Sequence, residues 1–326
     1  MPTEPVFLTG ATGFVGGHIL RALIERGYSV RALVRDKDAV QLPCDRIAGD
    51  LRRPGQLARA IDGCRYVIHS AALYSFSPRL RREIYLTNVA GTAGLLEAAR
   101  VAGIERAIVT SSSAALGVSR NGRLLTEADW GNDDSGSTYH NSKVAQERAA
   151  FASRVPVTTL LPTTPVGPGD AKPTPTGQLI LDFMRGRMFS KPPRRGGLNL
   201  VAVEDVARAH VDALTRGRSG ERYILGGENL TLDQLWQVLA EITERPMPRA
   251  RVPNALLFGL AWGDELRCRF AKDCTPLIPL EGVRMAQHRV FVDSLKARQE
   301  LQFEASPVRD ALQRAVLWYR SHQNGI

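Results

Sequence analysis

Cysteine is scarce in this chain. Cys44, Cys64, Cys268 and Cys274 are its four thiols, no two of them form a CxxC pair, and the six histidines never fall in an HExxH spacing. Free cysteines and no metal site are therefore expected. Lysine is also rare: six stand beside 37 arginines, and together they outnumber the 33 acids to give a formal charge of +10. Such a charge can attract phosphates, anionic lipid or nucleic acid. The basic residues are dispersed, however, in short clusters such as Arg52–Arg53, Arg81–Arg82 and Arg194–Arg195. No basic arm results, so most of them read as solvated surface and nucleic acid is not an expected partner. Long hydrophobic runs are missing too. A stretch such as Ala255 to Trp262 is far too short to span a bilayer, and no basic segment followed by an apolar one opens the chain. A cytoplasmic protein without a transmembrane segment is expected.

What is present is an ordinary globular composition, 44% hydrophobic and 23% charged over 326 residues. That length suits one large α/β domain or a domain with a smaller lobe, because single cores seldom grow past about 250 to 300 residues. Val6–Leu8 enters a glycine turn, and Phe14–Glu25 follows with helical spacing of its apolar positions. Ser29–Val34 is strand-like, Ile47 and Ala48 lead to Gly49 and Asp50, and Gln56–Ile61 is helical. Tyr66–His69, Tyr85–Ala102 and Ala107–Thr110 continue as strand, long helix and strand. This alternation predicts an α/β fold, a doubly wound parallel sheet of the Rossmann type. Five prolines and two glycines between Pro162 and Pro175 exclude a long helix or central strand there, so a second lobe is expected to begin. The expected partition is a Rossmann domain over 1–165 with returns to its sheet near 199–203 and 223–225. A smaller substrate lobe would take 166–198 and 228–326.

The first chemical motif is Thr9-Gly10-Ala11-Thr12-Gly13-Phe14-Val15-Gly16, three glycines three residues apart in the first strand-to-helix turn. A side chain there would block the turn or keep a pyrophosphate from the helix N-terminus, whose free N–H groups favour an anion. A dinucleotide is therefore expected on Gly10, Thr12, Gly13, Phe14, Val15 and Gly16. Arg35 follows Gly16 by 19 residues, where an arginine would accept a 2′-phosphate and an acid would hold a ribose hydroxyl. Arg35 points to NADP, and Asp36 next to it keeps NAD as the alternative.

The second motif is Tyr139 followed by Lys143, one helical turn apart and on one face. Seven tyrosines and six lysines in this length would produce about 0.13 such pairs by chance, and this pair alone occurs. A tyrosine phenol ordinarily titrates near 10, too high for proton transfer at neutral pH, and a nearby ammonium is expected to lower it. Ser111, Ser112 and Ser113 follow the strand ending at Thr110, at the sheet edge where such folds bind ligands. One hydroxyl there can hold a substrate oxygen against Tyr139, while the others satisfy loop backbone. Asn88, inside the long helix, is a candidate to order a water or a carbonyl near the lysine. Phe258, Trp262, Leu266 and Phe270 recur every four residues, which predicts a helical apolar stripe that packs on its own lobe or else meets an apolar substrate or membrane surface.

Over essentially the whole chain these motifs resemble the extended short-chain dehydrogenase/reductases. The glycine turn, Gly49 with Asp50, Ser70 with Ala71 and Ala72, the serine strand end, the Tyr139–Lys143 pair and Pro162 fall in that family's order. The resemblance implies Ser112, Tyr139 and Lys143 as the catalytic set, with Lys143 also on the nicotinamide ribose. It implies adenine contacts from Asp50 and Leu51, a cofactor wall from Ala71 and Ala72, and a nicotinamide lining from Pro162, Thr163 and Thr164. The segments 171–177, 197–207, 220–232 and 282–286 are similar to the hopanoid-associated sugar epimerases, themselves similar to dihydroflavonol reductases. Ala202 stands where such relatives carry a histidine, and His140 with Asn141 replaces a commoner basic pair; both departures bear on the substrate. The implied activity is NAD(P)-dependent hydride transfer at a secondary alcohol or ketone carbon, by an epimerase or by an NADPH-dependent ketone reductase. A third reading, a non-catalytic NADP-sensing regulator, has no use for Ser112, Tyr139 and Lys143 together. The partner expected is a small-molecule substrate, with peripheral membrane contact and a homodimer as further candidates.

Overall fold

The computed structural model describes residues 3–75, 78–119, 122–131, 137–188, 190–193, 195–270 and 280–322. The elements of the first half are β1 (Thr3–Thr9), α1 (Phe14–Glu25), β2 (Tyr28–Val34), β3 (Asp45–Ala48), α2 (Leu57–Ile61), β4 (Tyr66–His69), α3 (Arg81–Tyr85), α4 (Gly91–Val101), β5 (Arg106–Thr110), α5 (Thr138–Phe151), β6 (Val157–Pro162) and β7 (Thr164–Val166). Then follow α6 (Pro175–Met184), β8 (Gly197–Ala202), α7 (Val203–Arg216), β9 (Arg222–Leu225), β10 (Glu228–Thr231), α8 (Leu232–Thr243), α9 (Asn254–Phe270), α10 (Leu280–Met285), β11 (Arg289–Val290), α11 (Leu295–Leu301) and α12 (Val308–His322).

Seven strands form one sheet in the order β3-β2-β1-β4-β5-β6-β9, and every neighbouring pair is parallel. This is the doubly wound fold that the alternating pattern predicts. Strands such as β4, β6 and β9 are buried along their whole length, as a sheet covered by helices on both faces requires. In β1 the side chains alternate between the two layers. Val6 and Leu8 join Ile19 and Leu23 of α1 and Val206 and Val211 of α7, whereas Phe7 joins Leu95, Leu96 and Ala99 of α4. Each buried Val, Leu, Ile or Phe side chain contributes about 1.5–3 kcal/mol. The order of connection reverses between β1 and β4, so a crevice opens at their carboxyl ends, where this fold takes its ligands.

The return expected at 199–203 needs correction. Residues 197–202 are β8, which pairs antiparallel with β10 and parallel with β7 and β11 in a separate small sheet. A short apolar strand buried on both faces looks the same whichever sheet takes it, so its partner was not readable. The segment near 223–225 does lie in the main sheet, as β9. The small sheet shares a core with α6, α8 and α12 through Phe183, Leu239 and Val316. The C-terminal region also reaches back: Ala297, Leu301 and Phe303 belong to the α1–α7 layer.

Two further expectations change. Cys44 and Cys64 are free, but Cys268 is disulfide-bonded. On α9 the spacing of Phe258, Trp262 and Leu266 is helical as expected, yet Trp262 is 63% exposed and Leu266 37%. The helix turns Ala261 and Cys268 inward, small residues seven apart that allow close approach, so Trp262 and Leu266 are not core, while Phe258 is half-buried. The side chain of Phe270 lies outside the described residues.

Candidate active site

The turn after β1 is built on close approach. Gly10 has φ +81°, and a Cβ there would lie 2.7 Å from the Ala71 nitrogen. A Cβ on Gly16 would lie 2.0 Å from the Gly10 carbonyl oxygen. These two glycines therefore lock α1 against the end of β1. Gly13 caps α1 with no side-chain hydrogen bond, and the first turn holds no acid. Thr12 and Gly13 are exposed and Phe14 and Val15 half-exposed, so the N-terminus of a 12-residue helix with no acid in its first turn suits an anion. This cradle fits a pyrophosphate.

Around it, Arg35 is exposed just beyond β2. The Asp36 carboxylate is turned back onto the backbone, accepting from the N–H groups of Asp38 and Ala39 at 3.0 and 3.2 Å, so Arg35 is the freer of the two. Asp50 pairs with Arg52 at 2.5 Å, and that hydrogen bond holds its carboxyl down at about 2. Leu51 is buried in the core. Ala71 is half-buried and Ala72 exposed at the end of β4. Pro162 ends β6, and the Thr163 hydroxyl donates to Asn199 Oδ1 at 2.8 Å. Thr164 begins β7. All of these lie at or just beyond the carboxyl ends of strands, Pro162 and Thr164 within β6 and β7 and the others on loops.

Ser112 is half-buried while Ser111 and Ser113 are buried, which separates the three serines. The Ser112 oxygen accepts from Ala114 N at 3.1 Å and is hydrogen-bonded to Tyr139. Tyr139 and Lys143 sit on α5, whose N-cap is Ser137. Burial pushes the Tyr139 phenol up to about 12, with the Ser112 hydrogen bond opposing. Burial pushes the Lys143 ammonium down to about 8, with Glu147 opposing. The expected lowering of Tyr139 by Lys143 is thus reversed in the protein as it stands. The ammonium lies 5.9 Å from the ring centre and is engaged elsewhere, donating to the Thr110 carbonyl at 3.1 Å and to Gln146 Oε1 at 2.9 Å.

Asn88 does not touch the lysine. It lies in a π-turn, residues 86–90, between α3 and α4, a distortion often found at functional sites. Its amide accepts from Leu73 N at 2.7 Å and donates to Leu73 O at 3.0 Å and Ser142 Oγ at 3.2 Å. It therefore holds the loop that carries Tyr74. That ring, 40% exposed, meets Tyr139 edge-on with centroids 4.4 Å apart. Sequence reasoning missed Tyr74, because a loop aromatic carries no periodic signal. It also missed Glu147, one turn beyond Lys143, which pairs with Arg222 at 2.7 Å in a nearly dry environment. Arg222 stacks on Trp130 at 3.8 Å and donates to the carbonyls of Glu127 and Asp129, fixing the loop after β5. The i, i+4 spacing from Lys143 was a usable signal for Glu147.

Residues 6–226 match the NAD dependent epimerase/dehydratase family. A Synechocystis sp. protein provisionally named a dihydroflavonol 4-reductase is 40% identical, covering 97% of this chain and 94% of its own. Sterol demethylase protein B of Methylococcus capsulatus is 35% identical over 96% of this chain and 97% of its own. The structure of MoeE5 in complex with UDP-glucuronic acid and NAD is 26% identical and superposes with a TM-score of 0.76 over 98% of this chain and 99% of that one.

Proposed function

Because the chain belongs to the NAD-dependent epimerase/dehydratase family, we propose that it is an NAD(P)-dependent reductase acting at a ketone or secondary alcohol carbon, with Tyr139 as the proton donor. The observation that carries this reading is the Ser112–Tyr139–Lys143 set on one sheet edge, where burial favours the neutral phenol of Tyr139. A neutral phenol hydrogen-bonded to Ser112 is ready to give a proton to a developing alkoxide, which is what reduction needs. Ser112 would orient the substrate oxygen, and Lys143 would stabilise the phenolate left behind and hold the ribose. With its pyrophosphate on the Gly10–Gly16 turn, the dinucleotide would supply or accept the hydride through its nicotinamide. Arg35 favours NADP, through a charge-assisted contact to a 2′-phosphate.

The exposed Tyr74 ring against Tyr139 and the exposed Val118 beyond Ser112 suit a substrate with an apolar ring system. The relatives' names agree in kind, a flavonoid reductase and a sterol-demethylation protein. The sugar epimerase reading draws on the likeness to a protein solved with a UDP-sugar. Peripheral membrane contact through α9 rests on exposed Leu256, Leu260 and Trp262 and the net charge of +10, which together favour anionic lipid.

The test is a panel of flavanonol, 3-ketosteroid and UDP-sugar substrates with NADPH or NADH. Stoichiometric oxidation of the cofactor with a cyclic ketone supports the reductase. Interconversion of UDP-sugars with no net cofactor consumption would replace it with the epimerase.

A further inference from the structure

Behind Lys143 runs an unbroken chain of buried polar side chains. Gln146, fully buried on α5, accepts from Lys143 Nζ through Oε1 at 2.9 Å and donates through Nε2 to Thr92 Oγ1 at 3.0 Å. The lysine has only donors, so the amide orientation is forced. Thr92 gives its hydroxyl proton to the Asn88 carbonyl at 2.6 Å, and therefore accepts from both Gln146 and His69 Nε2, the latter at 2.8 Å. His69 Nδ1 in turn accepts from the Thr9 hydroxyl at 2.7 Å, and Thr9 Oγ1 accepts from Ala71 N at 3.2 Å. Gln146, Thr92 and His69 are all fully buried. The chain ends on Thr9 and Ala71, which flank Gly10.

We propose that Gln146 is a positioning residue that fixes the Lys143 ammonium and, through Thr92 and His69, ties it to the turn expected to hold the dinucleotide. The inference rests on the reading of Lys143 as the ribose and phenolate partner. A flexible four-carbon amine buried in a low-dielectric site needs its N–H groups satisfied to stay charged and still. Thr110 O and Gln146 Oε1 take two of the three, which leaves one for the Tyr139 side. Losing Gln146 would leave the ammonium short of a partner and favour its neutral form. The charged and titratable groups facing Lys143 are Tyr139 and Glu147 on its own helix, His69 from β4, and Arg222 from β9 behind Glu147.

The experiment is an NMR titration of 13Cε-labelled lysine, tractable because the chain has six lysines, with Lys143 assigned through Lys143→Arg. Gln146→Met should lower the Lys143 midpoint by about one pH unit, and Gln146→Glu, which keeps an acceptor and adds a charge, should raise it. Thr92→Val, which frees the far end of the amide, should lower it less and serves if Gln146→Met does not fold. Cofactor-dependent turnover should fall about tenfold in Gln146→Met and recover in Gln146→Glu. Identical lysine titrations in wild type, Gln146→Met and Thr92→Val would overturn the proposal. Undiminished turnover in Lys143→Met would instead remove the reading on which it rests.

Discussion

Acid should unfold this protein earlier than its carboxylates would. His69 and His210 are fully buried, and burial lowers them from 6.5 to about 3 and about 4. Each is locked in a neutral tautomer. His69 sits between the Thr9 and Thr92 hydroxyls, and His210 donates through Nδ1 to Val206 O at 2.7 Å while Nε2 accepts from Thr110 at 2.8 Å. Below pH 6.5 the unfolded chain binds protons that the folded chain refuses, so stability falls as pH falls until the folded-state values are reached. Each histidine contributes a slope of about 1.4 kcal/mol per pH unit, so pH 5 should cost about 2 kcal/mol apiece and about 4 together. That is a large share of an ordinary domain stability of about 5–15 kcal/mol. His18, also lowered by burial, adds in the same direction. Asp50 and Asp129, held near 2 by arginine hydrogen bonds, lose their partners only at lower pH. Glu127 and Asp170, raised by burial, oppose the trend as they take up protons on acidification. The assay is urea unfolding followed by the fluorescence of the four tryptophans at pH 7.5, 6 and 5. His210→Gln cannot charge, so it should remove about one proton from the slope whatever it does to stability at pH 7.5. A midpoint flat from pH 7.5 to 5, or an unchanged slope in His210→Gln, would refute the reasoning.

Three other outcomes follow from the same geometry. Arg35→Ala should weaken NADPH by about 1.5–3 kcal/mol and leave NADH nearly unchanged in calorimetric titration; equal losses would show that the side chain does not read the phosphate. Gly16→Ala places a methyl against the Gly10 carbonyl, so dinucleotide binding should be lost and thermal stability should fall by about 1–3 kcal/mol; retained affinity would mean that the turn relaxes freely. The wild-type protein should co-sediment with anionic liposomes at low salt, and Trp262→Glu should abolish this without changing the melting point. A wild-type protein that stays in the supernatant would remove the membrane surface.

The sheet was legible because its strands and helices obey separate periods, and the glycine turn because two of its glycines have no room for a Cβ. Which sheet claims residues 197–202 was not legible, since burial on both faces erases the alternation that identifies a partner. The Tyr139–Lys143 pair stood out by its helical spacing. The direction in which its phenol shifts was not legible, because the ammonium is visible in the spacing and the burial that outweighs it is not. Buried Gln146, Thr92 and His69 escaped notice for a related reason: they come from three elements and meet only after the sheet is assembled. Tyr74 depends on Asn88, whose hold on Leu73 is a backbone contact that no side-chain pattern announces. On α9 the large apolar residues drew attention, while the small ones set the packing.

The central claim is that Tyr139 delivers a proton while a nicotinamide hydride reaches the same carbonyl. It is tested most directly with NADPH deuterated at the transferring position and a cyclic ketone taken up in the panel, comparing wild type with Tyr139→Phe. The account predicts one deuterium on the carbinol carbon for each NADPH oxidised. In Tyr139→Phe, cofactor affinity should be unchanged and turnover lower by about 10² or more. Full turnover in Tyr139→Phe, or a product carrying no deuterium, would contradict it.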